Sequence, residues 1–283
     1  MSGIIEIGTI APAVLVLGAG GDVGRGVVQA ALEAGAPVLA VDADAAALAM
    51  LREQHPSAPL TTLVATIASD ADAAQLAADV RARARAGVSG VVVAIAGRHD
   101  CARLLDQPAD ALRRTLDEDL MPQLFAARHV LPLLAGNTSR GYVVIGGPGG
   151  DYPWAGYGHC SIAAAALRMM ARVLHDEAAG QGVRVQLLAL DAPVRIDADA
   201  AHAGNTWPKA IAVGRRALAM LEDGHMPGPP VVGFSAAGNP RTDVPAPSSA
   251  RAFSRDLRDA RALLTSIRSH PLLQTGRLPH ETP

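Results

Sequence analysis

The chain has 283 residues, room for one large domain or two small ones, since a domain takes roughly 100 to 250 residues. A formal net charge of −2 leaves no electrostatic footprint for nucleic acid or anionic lipid, so neither partner class is favoured. Cys101 and Cys160 make no disulfide framework and lack metal-ligand spacing, so no metal is expected.

Hydrophobic residues make up 49% of the chain and aromatic residues only 3%, so the interior must be built from small aliphatic side chains. The basic residues are Arg except for Lys209, the mark of codon bias more than of function. The opening MSGIIEIGTIAPAVLVLG has no positive n-region and no cleavage site, and no apolar run reaches the roughly 18 residues of a membrane span. A reduced, cytoplasmic chain is expected.

Short β-branched or Leu-rich runs alternate with Ala-rich segments of helical period, the pattern of a parallel sheet with crossover helices. The predicted strands are Ala13–Leu17, Pro37–Val41, Leu60–Thr66, Gly90–Ala96, Gly141–Ile145, Val183–Ala189 and Val231–Phe234. Helices are predicted to start near Asp22, Asp44, Asp70, Pro108, Tyr157 and Thr206, most of them opened by N-terminal signal residues. Residues 1–12 form an extension, 13–235 one domain, and 236–283 a Pro/Ser/Gly-rich linker with a C-terminal helix. In that helix Phe253, Leu257, Ala260, Leu264 and Ile267 recur on one face, to dock on the domain, on a second subunit, or to remain a tail.

After the first strand, Gly18-Ala19-Gly20-Gly21-Asp22-Val23-Gly24 runs straight into a helical segment. Glycines there let backbone N–H groups approach a pyrophosphate resting on the positive end of the helix. Strand before and helix after are the context that raises such a loop above a chance glycine pattern. Asp42 closes the second strand, where a carboxylate bonds ribose hydroxyls and repels a 2′-phosphate, favouring NAD over NADP; a plain helix cap is the other reading. Thr66 and Ile67, after the third strand, are assigned to the same cofactor site.

With loop, acid and strand rhythm in place, the chain from Ala13 to Phe234 resembles the short-chain dehydrogenase/reductase superfamily. Ile95-Ala96-Gly97 looks like its Asn-Ala-Gly motif with the Asn replaced, so Ala96 and Gly97 join the cofactor residues. Pro108 to Leu134 resembles its long fifth helix, with Asp119 where an Asn is usual, and Tyr157 opens a segment similar to its YxxxK helix. The resemblance implies a doubly wound Rossmann fold with a seven-stranded parallel sheet, a nicotinamide dinucleotide, and a homodimer or homotetramer built through the fifth and sixth helices.

In the family the Tyr is general acid or base, the Lys four residues on lowers its pKa, and an upstream Ser polarises the carbonyl. Four helical residues turn about 400°, which puts Tyr and Lys on one face. Here the Lys position is Ser161, and Val144-Ile145-Gly146-Gly147-Pro148-Gly149-Gly150 holds no hydroxyl where the Ser is expected. Ser keeps neither the charge nor the reach of a lysine. Tyr157, Asp119 and Ser161 are the candidate catalytic residues. A base at His159, a nucleophile at Cys160, an oxyanion site in the glycine run and a cation at Lys209 are weaker alternatives. His159, two residues past Tyr157, points elsewhere if both are helical, and Tyr152, Pro153 and Trp154 shape the pocket mouth.

These features describe an NAD(H)-dependent oxidoreductase with a kept adenosine end and an altered nicotinamide end, acting on a small-molecule hydroxyl, carbonyl or conjugated alkene. A dinucleotide-binding protein without redox activity and a non-redox cyclase or lyase stand as alternatives, because fold does not fix function.

Overall fold

The computed structural model describes residues 11–135, 140–194, 207–222 and 228–235, all within a compact unit, Met1–Thr242. The linker, the C-terminal helix and most of Pro193 to Asn205 lie outside the described residues, as do nearly all of residues 1–12.

Strands β1 (Ala13–Leu17), β2 (Val38–Asp42), β3 (Leu60–Val64), β4 (Val88–Val93), β5 (Arg140–Gly146), β6 (Val183–Leu190) and β7 (Val231–Phe234) form one sheet in the order β3-β2-β1-β4-β5-β6-β7. Every pairing is parallel. Helices α1 (Asp22–Glu33), α2 (Ala45–Gln54), α3 (Asp70–Arg83), α4 (Ala111–Asp119), α5 (Met121–Val130), α6 (Gly158–Ala179) and α7 (Ala210–Glu222) supply the crossovers. The chain reverses direction of travel between β3 and β4, both of which flank the β2–β1 pair. That switch opens a crevice at the carboxyl ends of β1 and β4, where doubly wound sheets bind ligands.

Both faces of the sheet are covered, so alternate residues of a strand enter different cores. In β1, Leu15 and Leu17 join Leu76, Ala127 and Leu167 on the α3–α5–α6 side. Val14 and Val16 join Val28, Leu48 and Val213 on the α1–α2–α7 side. Each fully buried Val or Leu contributes about 1.5–3 kcal/mol. Helices α1 and α7 meet at glycines: a Cβ on Gly26 would strike Ala210, and one on Gly214 would strike the Gly26 carbonyl. Arg215 clamps the exposed end of this contact on Glu33 at 2.9 Å.

The sheet follows the expected strands with ends displaced by up to three residues. One expectation fails. The segment from Pro108 to Leu134 is not one long helix but α4, a junction at Leu120, α5 and a 3-10 turn over Leu131–Leu133. Pro122 stands in the first turn of α5 and has no N–H to continue α4's hydrogen-bond ladder, which explains the break. The interruption leaves Asp119 at a helix end instead of inside a helix.

Candidate active site

The glycine-loop end of the candidate site is built by β1, α1 and β2. Gly18 has φ +78°, and a Cβ there would lie 2.6 Å from the Ala94 carbonyl oxygen, so only glycine lets the loop pass under β4. A Cβ on Gly24 would overlap the Gly18 carbonyl, which is why α1 can start so close to the loop. Gly21 is the N-cap of α1 and brings no side chain to cap it, leaving that helix start open to an anion. Asp22 is turned to Arg25, 2.9 Å away on the exposed surface, which offsets its charge beside the loop. Val23 is half-buried against the α1–α2–α7 core.

Asp42 lies across the loop from α1. Its Oδ2 accepts the Gly20 N–H at 2.8 Å and its Oδ1 the Asp44 N–H at 2.9 Å. The cap of α2 is Asp44, whose side chain accepts from Ala46 and Ala47, so helix capping does not account for Asp42. A Cβ on Gly20 would lie 2.8 Å from Ala47 Cβ and 3.0 Å from the Asp42 carboxyl. Thr66 is exposed just past β3, and Ile67 is half-buried against the core.

The other end gathers around the loop leaving β4. Gln123, buried, donates to the Ile95 carbonyl at 2.9 Å. Ala96 is exposed. Asp119 accepts the Gly97 N–H through Oδ1 at 2.6 Å and meets His99 Nε2 through Oδ2 at 2.8 Å. The Glu118 carboxylate lies 3.9 Å from the other His99 nitrogen. His99 meets His159 edge-on, with ring centroids 5.6 Å apart. A carboxylate that holds one ring nitrogen fixes the imidazole and leaves the other nitrogen for chemistry.

His159 therefore sits in the site and not away from it. Tyr157 is the N-cap of α6 with φ −130° and ψ 42°, so the 100° per residue that separates helical neighbours does not apply between them. The Tyr157 ring lies 6.4 Å from His159 and stacks on Trp154 at 4.3 Å. A strap from the β4 loop crosses this point: the Ala102 N–H donates to the Gly156 carbonyl at 2.8 Å, and Leu104 packs at the start of α6. Burial and the neighbouring Cys101 thiol push the Tyr157 pKa above its ordinary value, so the phenol holds its proton at neutral pH. Cys160 is pushed up to about 11, by burial first and then by the Asp119 charge, which keeps it a thiol rather than a nucleophile.

Ser161 is buried, and its hydroxyl is bound locally: it accepts the Trp154 N–H at 2.9 Å and donates to the Tyr157 carbonyl at 3.1 Å. Gly149, at φ +99°, leaves room for that hydroxyl, which a Cβ would approach to 2.6 Å. The glycine run thus wraps the start of α6, with Asp151 bound to Arg168 at 2.6 Å. Tyr152 and Pro153 are exposed beside it, and Lys209 is exposed ahead of α7. His99 was not legible beforehand; its only signal is its place two residues beyond Gly97.

A short chain dehydrogenase family model matches residues 12–207. Among solved structures, the chain is similar to a short-chain dehydrogenase/reductase from Burkholderia xenovorans, with 20% identity, TM-score 0.70, and coverage of 80% of this chain and 95% of that one. It is similar to a short-chain dehydrogenase from Streptomyces avermitilis, with 22% identity, TM-score 0.66, and coverage of 90% and 96%. A third is the NADPH-bound short chain oxidoreductase with an atypical catalytic center from Pseudomonas aeruginosa PAO1, with 21% identity, TM-score 0.69, and coverage of 82% and 98%. No curated protein matches the chain. With a parallel sheet in this strand order, a glycine loop at the head of α1 and a family match over more than half its length, the chain belongs to the short chain dehydrogenase family.

Proposed function

We propose that the protein is an NAD(H)-dependent oxidoreductase acting on a small-molecule hydroxyl, carbonyl or conjugated alkene. The observation that carries this reading is the Asp42 carboxylate anchored on Gly20 inside a loop where Gly18, Gly20 and Gly24 leave no room for a Cβ. That cradle fits a pyrophosphate on the start of α1 and an unphosphorylated adenosine ribose beside Asp42. The dinucleotide, when bound, supplies or accepts hydride.

NADPH is bound by the Pseudomonas aeruginosa relative, but here a carboxylate at the ribose position opposes a 2′-phosphate. At the reacting end, Tyr157 is poised as a proton donor more than as a base, because burial and the neighbouring Cys101 raise its pKa. Proton donation suits carbonyl or enone reduction. Asp119 acts through His99 and the Gly97 N–H, positioning the loop against the pocket.

Association into a homodimer or homotetramer belongs to the same reading. Leu124 of α5 and Ile162, Met169 and Val173 of α6 are 39–56% exposed, and Ala-rich helices present them with little to block close approach by a second copy.

The test is NADH consumption over a panel of carbonyl and enone substrates, repeated with Tyr157→Phe. General acids contribute about 10²–10⁴-fold, so a loss of at least 100-fold is expected. An unchanged rate would remove Tyr157 from the chemistry.

A further inference from the structure

His99, His159 and Cys160 come together from two elements, the loop after β4 and the first turn of α6, with one ligating atom from each within 4.8 Å of the others. Linear spacing hides the group, since His99 lies far from the other two along the chain. Around a tetrahedral ion with bonds of about 2.0–2.3 Å, neighbouring ligand atoms stand roughly 3.3–3.8 Å apart, so small side-chain rotations bring these three to bonding geometry.

A second observation points the same way. His159 is only 3% exposed, and its Nδ1 has no hydrogen-bond partner. An unsatisfied buried nitrogen is costly, and a cation removes that cost. The surroundings suit one. Asp119 holds His99 Nε2 at 2.8 Å and is itself held by the Gly97 N–H. This is the carboxylate–imidazole arrangement that orients metal-ligating histidines.

We propose that His99, His159 and Cys160 bind a divalent transition metal of borderline softness, zinc above all, with Asp119 as the positioning carboxylate. Two imidazoles and a thiolate, the Cys160 proton being released to solvent as the metal binds, suit such an ion and exclude magnesium or calcium, which take oxygen ligands. Three protein ligands leave a fourth position open, the pattern of catalytic zinc sites. On the oxidoreductase reading, on which this role alone rests, the open position would take the substrate oxygen and polarise it, in place of the upstream serine hydroxyl that residues 144–150 lack.

The test is titration of the reduced, metal-free full chain with Co²⁺ as a spectroscopic stand-in, without dinucleotide or substrate. One equivalent is expected to produce a thiolate-to-cobalt charge-transfer band together with strong tetrahedral visible absorption, and Zn²⁺ to displace both. Cys160→Ser loses the charge-transfer band while Cys101→Ser keeps it. Asp119→Asn weakens Co²⁺ binding about 10- to 100-fold. No charge-transfer band in the wild-type chain overturns the proposal whatever the variants do, as does a band that survives Cys160→Ser. Because neither cofactor nor substrate is present, a failure here leaves dinucleotide binding standing, and an absence of turnover leaves the metal site standing.

Discussion

The Asp42 carboxylate reaches from the end of β2 to accept the Gly20 N–H at 2.8 Å, tying the second strand to the loop that precedes α1. One residue thereby shapes the loop and, on the proposed function, sets the charge beside the adenosine ribose. Asp42→Ala removes both. A hydrogen bond to a charged group is worth about 1.5–3 kcal/mol, so NADH affinity is expected to fall roughly 10- to 100-fold. NADPH affinity, measured alongside by the fluorescence of bound reduced nucleotide, should fall much less. Equal losses would contradict the electrostatic argument for NAD.

Gly24 lies where α1 passes closest to the Gly18 carbonyl. Both partners there are backbone and cannot rotate away. Gly24→Ala is expected to lower stability by about 1–3 kcal/mol, the usual cost of overpacking, and to abolish dinucleotide binding. Gly147, with nothing within 4 Å of its added Cβ, is the control: Gly147→Ala should stay within about 0.5 kcal/mol of the parent in urea denaturation.

Ser161 occupies the place of a lysine but holds the Trp154–Tyr157 turn by hydrogen bonds on both sides of its hydroxyl. Ser161→Ala leaves the Trp154 N–H without its partner and should cost about 1–3 kcal/mol. Ser161→Lys drives a long side chain into Gly149. It is expected to lower the melting temperature with no gain in NADH turnover; a faster enzyme would show that the family's arrangement lies closer than the packing here indicates.

Tyr142 of β5 is fully buried, and its hydroxyl has no partner. Removing it relieves an unmade hydrogen bond, so Tyr142→Phe should raise stability by about 1 kcal/mol. Burial also raises the Tyr142 pKa in the folded state. The phenol then ionises in the unfolded chain first, from about pH 10, so its contribution is fully present below that pH and is lost as pH rises. The advantage of Tyr142→Phe should therefore widen in denaturation curves taken above about pH 10.

The strands were readable because both sheet faces are covered, which makes each a continuous apolar run; β1 and β7 keep their expected bounds. The glycine loop and Asp42 were readable because backbone geometry restricts those positions to few residue types. What stayed hidden depends on contacts between distant segments. The break at Leu120 follows from Pro122, since a proline's effect on a helix depends on where in it the residue falls. His159 faces the site because Tyr157 is a cap, so the condition of helical geometry between the two is not met. His99 has meaning only once β4 and β5 lie side by side and bring its loop to the start of α6.

On the proposed function, the chain keeps an NAD-selective dinucleotide site while its reacting end is rebuilt. Calorimetric titration of the full chain with NADH and NADPH tests it most directly. Saturable NADH binding is expected at one site per chain, at least about 10-fold tighter than NADPH, as one well-placed charge contact allows. Heat from neither nucleotide, or tighter binding of NADPH, would contradict it.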